Sequence, residues 1–314
     1  MAKSRHTPGF RLGFGDRHYT ITNGFGSALH YRIHVTAAIM SSSQEIIIEP
    51  RRAVRHYWRD LWQYRELFYF MAWRDVLIRY KNLSIGFAWA LLRPFLTMLI
   101  LTLVFNRFAG LPSQGIPYPV LVYSALLPWL FFAQAFADAG NSLVNKESII
   151  NKIYFPRMIV PTSAVVVSFV DFLAALSVLV LLLAWYRYLP GWQIAALPLF
   201  MLMAFVLALG AGLWISALSV QYRDFRYIIP FSVQIGLYLS PVGYDSSLVP
   251  LEWRSWYALN PLVGIIEGFR WSVSGRLMPH LLHDISLSLA VMLVLSVSGI
   301  LYFRRIERSL SELL

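Results

Sequence analysis

Apolar residues in this chain gather into long, nearly charge-free stretches instead of the short alternating patterns of a soluble fold. Six stretches, at roughly residues 83–105, 117–137, 158–186, 188–220, 227–244 and 285–303, are long enough as helices to cross about 30 Å of hydrocarbon. The fourth exceeds one crossing and opens with Pro190 and Gly191, so its helix is expected to start near Ile194. The fifth is marginal in length. The pattern predicts an all-α integral membrane protein with six transmembrane helices.

Two segments fit neither span nor loop. Residues 57–81 mix Tyr57, Trp58, Trp62, Tyr64, Phe68, Tyr69, Phe70 and Trp73 with arginines, and the uncharged run 67–73 is too short to cross. Aromatic rings beside Arg favour the headgroup layer, which predicts an N-terminal interfacial helix. Within it, Asp75 and Arg79 stand four apart, in the favourable order for a helical pair. Between the fifth and sixth stretches, residues 246–283 are too apolar to lie in water, yet Glu267 and Arg270 oppose a crossing. Asn260 followed by Pro261 reads as the cap and first residue of a short helix. An outer re-entrant helical hairpin satisfies both constraints.

Composition agrees with the pattern. The 314 residues are 58% hydrophobic and 14% charged, without cysteine, at a mean hydropathy of +0.57. A soluble domain carries about 25% charged residues, which argues against a soluble enzyme, and the lack of cysteine excludes a disulfide-stapled protein. The net charge of +11 lies between the apolar stretches, not on one patch, which argues for membrane anchoring over nucleic-acid binding. With both termini in the cytoplasm, sixteen Lys and Arg flank the inner side against five outside. Residues 1–39 lack periodicity and the character changes at Met40. A flexible extension over 1–39, with translation starting at Met40, and a membrane domain over 40–314 are expected.

Candidate chemistry is sparse. No G-x-x-x-x-G-K-[ST] loop occurs, so the chain has no phosphate-cradling loop of its own. No Asp-x-Asp pair supports a metal-dependent sugar transferase. His280, His283 and Asp284 are a weak metal cluster, read as interfacial residues, and neither metal nor cofactor is expected. Arg93 and Asp171 are the ionisable residues well inside the expected spans. A lipid-facing charge costs about 2.5–3.5 kcal/mol at a helix centre on insertion scales, so these two pair, or Arg93 contacts substrate or snorkels, or the two have separate roles. Ala204, Ala208, Gly212 and Ser216 recur every four residues and permit close helix approach. Outer aromatics, among them Tyr118, Tyr123, Trp129, Tyr244, Trp253, Trp256 and Tyr257, form an interfacial belt or stack on sugar faces. The loop after the second stretch, NSLVNKESIINKIYFPRM, holds a short helix whose apolar Ile149, Ile150 and Ile153 need a cover, a cytoplasmic protein before the membrane surface.

Five blocks, YFMAWRDVLIRYKNLSIGFAWALLRPFLTML, ALLPWLFFAQAF, NSLVNKESIINKIYFPRMIVP, YRDFRYIIPF and LNPLVGIIEGFRW, resemble in order those of the ABC-2 type permeases. The nearest subgroup is the exporters of O-antigen and related polysaccharides. The resemblance covers about residues 57–310 and omits 1–39. It implies a non-enzymatic subunit of the bacterial inner membrane that forms a homodimer and binds two copies of an ABC ATPase. The cargo would be a polysaccharide on a polyprenyl pyrophosphate lipid, passing through a channel at the dimer interface. Asn145, Lys146, Ile149, Ile150, Lys152, Ile153, Tyr154 and Phe155 map onto the coupling helix that receives the ATPase stroke. Residues 57–79 map onto the interfacial helix at the lateral entrance, and 253–275 onto the outer gate helices. Arg74, Arg79, Lys81 and Arg93 are the pyrophosphate candidates. Trp89, Tyr123, Trp129, Tyr238, Tyr244 and Trp256 are the channel or gate candidates. Capsule and teichoic acid exporters share these blocks. A drug or lipid exporter of the same family and a membrane transferase using a lipid carrier are the remaining alternatives.

Overall fold

The computed structural model describes residues 57–81, 83–110, 115–150, 152, 154–277 and 280–307, with no strand among them. The proposed boundary at Met40 lies outside these residues. Five helical stretches are long and apolar enough to cross a membrane: Leu91–Phe108, Tyr118–Asn145, Ile159–Trp185, Trp192–Gln221 and Leu281–Glu307.

The aromatic N-terminal segment is two helices, α1 (Tyr57–Gln63) and α2 (Arg65–Tyr80), broken at Tyr64. Phe68, Met71, Ala72, Asp75 and Arg79 recur at helical spacing on one face of α2, where Met71 and Ala72 are buried. Tyr69, Phe70, Trp73, Leu77 and Ile78 remain exposed. Helix α3 (Leu83–Thr102) follows, with Pro94 inside it, and continues as a π-helical turn, Leu103–Phe108.

Helix α4 (Tyr118–Asn145) is the centre of the fold and packs against α3, α6, α7, α8 and α10. It runs 28 residues, past the stretch expected to end at 137, and so carries Asp138 inside the helix. The one-turn helix α5 (Glu147–Ile150) leads to α6 (Ile159–Trp185). Rings of α4, α6, α7 and α10 interlock: Phe131 to Phe172 at 5.3 Å, Phe169 to Phe205 at 5.3 Å and Phe172 to Phe269 at 6.1 Å between centroids.

After Gly191 a 3-10 turn, Trp192–Ala196, opens α7 (Leu197–Gln221), close to the start expected at Ile194. The small-residue stripe lets α7 approach α4: a Cβ on Gly212 would stand 2.9 Å from the Ala139 Cβ. On another side, a Cβ on Gly299 of α11 (Leu281–Glu307) would meet the Gly210 carbonyl oxygen at 2.4 Å, so only glycine allows this contact.

The fifth expected stretch departs most. Helix α8 (Phe225–Leu239) has 15 residues, about 22 Å, and contains Pro230. It stops where Ser240 becomes extended, short of the end expected at 244. The segment beyond forms two helices, α9 (Leu251–Ala258) and α10 (Pro261–Ser274). Asn260 caps α10 by accepting from the Leu262 amide at 3.1 Å, and Gly275, with φ of 70°, closes it in the left-handed region.

Candidate functional site

One cluster of charge ties the interfacial segment to the bundle. Arg79, at the end of α2, donates to Asp138 of α4 at 2.7 Å and to Asp171 of α6. Asp138 also accepts from Gln134 at 2.9 Å and Ser168 at 3.0 Å, while Tyr80 donates to Asp171. Burial opposes the Arg79 charge, but the hydrogen bonds and charges of the two carboxylates outweigh it and raise its pKa. Burial and then the Asp171 carboxylate push the Tyr80 hydroxyl above the ordinary phenol range.

This arrangement corrects two expectations. Asp171 pairs with Arg79, not with Arg93, which is exposed on α3 and whose carbonyl accepts from Thr97 at 2.9 Å. Arg79 also ignores Asp75, four residues back. Asp75 instead takes Arg74 at 3.0 Å and Lys146, the residue that closes α4. Lys146 reaching Asp75 from the end of α4, and two carboxylates on α4 and α6 reaching Arg79, outcompete an exposed helical pair worth about 0.2–0.5 kcal/mol. Of the pyrophosphate candidates, Arg74 and Arg79 therefore hold carboxylates, while Lys81 and Arg93 are exposed.

The loop after α4 divides into an inner and an outer face. Ile150 and Phe155 are buried with Met71, Leu143, Met158, Leu213 and Phe303. Asn145, Lys152 and the 66% exposed Tyr154 face outward, and Ile149 is half-buried. Ile150 thus needs no partner protein to cover it, which amends the reading that all three isoleucines await one. Ile153 lies outside the described residues, as does the side chain of Trp89.

The channel candidates separate by burial. Tyr123 is wholly inside, donating to the Ala175 carbonyl at 3.0 Å. Trp129 is also buried, against Gly236 of α8. Tyr238 and Trp256 are exposed, and the Tyr244 hydroxyl shares a 3.0 Å hydrogen bond with that of Tyr257.

At the far end of the bundle a second polar knot forms around α10. Arg270 and Glu267 are each 1% exposed and 3.5 Å apart. Arg270 donates to the carbonyls of Pro241 at 2.8 Å, Val242 at 3.3 Å and Tyr244 at 3.1 Å. Glu267 accepts from the Ser246 amide at 3.2 Å. Sequence reasoning took both charges as a bar to crossing, but their partners are backbone groups of an irregular turn, which no motif announces. Asp284 of α11 pairs with Arg254 of α9 at 3.0 Å and touches His283 at 3.2 Å. Among the described residues no three His, Cys, Asp or Glu side chains group as metal ligands.

Residues 66–273 match the model of the ABC-2 type transporter family. The chain is 29% identical over 215 residues to the O-antigen export system permease protein RfbA of Myxococcus xanthus, across 68% of this chain and 82% of that protein. To the protein of that name from Klebsiella pneumoniae it is 26% identical over 242 residues, 77% of this chain and 92% of the relative. The polysialic acid transport protein KpsM of Escherichia coli is 22% identical over 205 residues, 64% of this chain and 78% of that protein. The family match takes in the clasp on α2, the turn at α5 and the knot on α10 as one continuous stretch, and the chain belongs to the ABC-2 type transporter family.

Proposed function

We propose that this chain is the membrane permease of an ATP-binding-cassette exporter that carries polyprenyl-pyrophosphate-linked polysaccharide, O-antigen first, across the bacterial inner membrane. The observation that carries this reading is the similarity to two O-antigen export permeases over 82% and 92% of their lengths. Capsular polysaccharide is the second reading, favoured by the polysialic acid transport protein at 22% identity. Membership of the ABC-2 type transporter family supports a partner ATPase as the site of ATP hydrolysis.

In this reading two copies of the chain join two ATPase subunits, with both termini cytoplasmic. Helix α8 is a sixth, short crossing that the turn beyond Ser240 extends, and α9 with α10 is the outer re-entrant hairpin. The sixteen-to-five distribution of Lys and Arg supports that orientation. The turn from Asn145 to Phe155 receives the ATPase, chiefly through exposed Tyr154 and Lys152. Lys81 and Arg93 meet the pyrophosphate first, because Arg74 and Arg79 already hold carboxylates. Tyr238, Tyr244 and Trp256 offer rings to passing sugars, weakly and at several points, as continued movement requires.

Reconstitution of the permease with its ATPase in vesicles, supplied with a panel of lipid-linked glycans, tests the assignment. ATP-dependent transfer of an O-antigen-type lipid-linked polymer is the expected outcome. Transfer of small drugs or free lipids, with no glycan moved, would overturn it.

A further inference from the structure

Lys146 occupies an unusual junction. Its amide closes α4, donating to the Ser142 carbonyl at 3.2 Å and the Leu143 carbonyl at 3.3 Å. Its own carbonyl accepts from the amides of Ile149 at 3.0 Å and Ile150 at 3.1 Å, which are the backbone of the α5 turn. Its ammonium, 13% exposed, holds Asp75 of α2 and lies 3.5 Å from Ser163 of α6. The α5 turn therefore cannot shift as a body without moving Lys146, and Lys146 cannot move without loading Asp75.

One helical turn along the same face, Arg79 fastens α2 to α4 and α6 through two carboxylates. The two attachments differ in kind. Arg79 is gripped from two helices, with Tyr80, Gln134 and Ser168 completing the set. Asp75 is gripped from the loop by one cation and steadied only by its neighbour Arg74. A helix with one firm and one lighter attachment turns about the firm one.

We infer that Lys146 and Asp75 form the link through which displacement of the α5 turn swings the interfacial helix α2, with the Arg79–Asp138–Asp171 set as its pivot. Both are positioning residues, acting on substrate entry through α2. The inference rests on the proposed reading of α5 as the ATPase-receiving turn. Partial burial of the pair keeps its attraction from being screened as a surface pair would be.

The test is export per ATP hydrolysed, measured on the permease–ATPase complex in vesicles with a lipid-linked polymer. Asp75→Asn keeps shape and removes the charge. It is expected to keep ATPase association and ATP hydrolysis while export per ATP falls about tenfold, within the usual range of coupling free energies. Asp75→Glu restores the ratio. Lys146→Gln approaches the link from its other end should Asp75→Asn fold poorly. Since Lys146 lies in the turn proposed to receive the ATPase, its export per ATP is read on purified complexes that retain the ATPase. The double variant is expected to lose no more than the worse single one, since both break one link. Wild-type export per ATP in Asp75→Asn, or losses that multiply in the double variant, would overturn the inference. The docking reading is tested apart from it: Tyr154→Asp should release the ATPase from the purified complex, and retention would sink that reading alone.

Discussion

Arg79 meets two carboxylates on two helices, whereas Arg93 stands exposed with none beside it among the described residues. The two arginines should therefore fail differently. Arg79→Gln leaves Asp138 and Asp171 facing each other without a cation and should cost about 2 kcal/mol, less than a fully buried pair because the set is partly wet. A lowered thermal midpoint in detergent, partly recovered by adding Asp171→Asn, is the expected measurement. Arg93→Lys should leave that midpoint unchanged but slow export, since Lys lacks the planar fork that gives phosphate two parallel hydrogen bonds. Export at the wild-type rate would remove Arg93 from the pyrophosphate site. At this scale the sequence exposed each charge but not its partner. Asp171 was visible as an ionisable residue in a span, yet its cation lies 92 positions away. Asp138 escaped notice because the apolar stretch weakens at 137, although Gln134 and Asp138 were already at helical spacing.

Elements were more legible than residues where apolar length alone decides them. α6, α7 and α11 fall within a few residues of the stretches that predicted them, and the Asn260–Pro261 start of α10 holds because its signal is local. α8 ends short of 244 because Pro241 and Gly243, helix breakers within a stretch delimited by its lack of charge, turn the chain after Leu239. Within that buried turn the Tyr118 hydroxyl donates to the Gly243 carbonyl at 2.8 Å, and Arg270 satisfies three others. Arg270→Met should strand those groups at a cost of about 3 kcal/mol or more. Lower yield of folded protein and faster protease cleavage between residues 240 and 250 are the expected signs. Arg270→Lys should repair only part, since an ammonium reaches fewer carbonyls at once. A variant as stable as the parent would show that the turn is held by other means.

Along α4, the Arg79 set joins at Asp138 and the turn held by Arg270 joins at Tyr118, the first residue of that helix, whose hydroxyl donates to Gly243. Charge is tolerated in this apolar chain where several helix or backbone groups converge on it. Family and class could be read from the sequence, since length, hydropathy and the order of five blocks are properties of the chain itself. The proposed orientation rests on the distribution of Lys and Arg and can be checked with single cysteines in this cysteine-free background. Cysteine in place of Tyr188 should react with an impermeant reagent added outside intact cells, and cysteine in place of Ser148 should react only after lysis. The reverse result would invert the topology and detach α5 from any cytoplasmic partner.

The distances along the chain within the Arg79 set impose an order in time. Arg79 leaves the ribosome before its partners, with Asp138 following 59 residues later and Asp171 92 residues later. Until α4 and α6 have both been inserted, Arg79 cannot hold both of its carboxylates, and α2 waits among the headgroups. Its exposed Tyr69, Phe70 and Trp73 suit that waiting place. Seating this early helix therefore waits on two later ones, and Phe303 of α11, packed in the same cluster as Met71, arrives later still. Nascent chains halted before Asp171 emerges should still have α2 open to proteolysis.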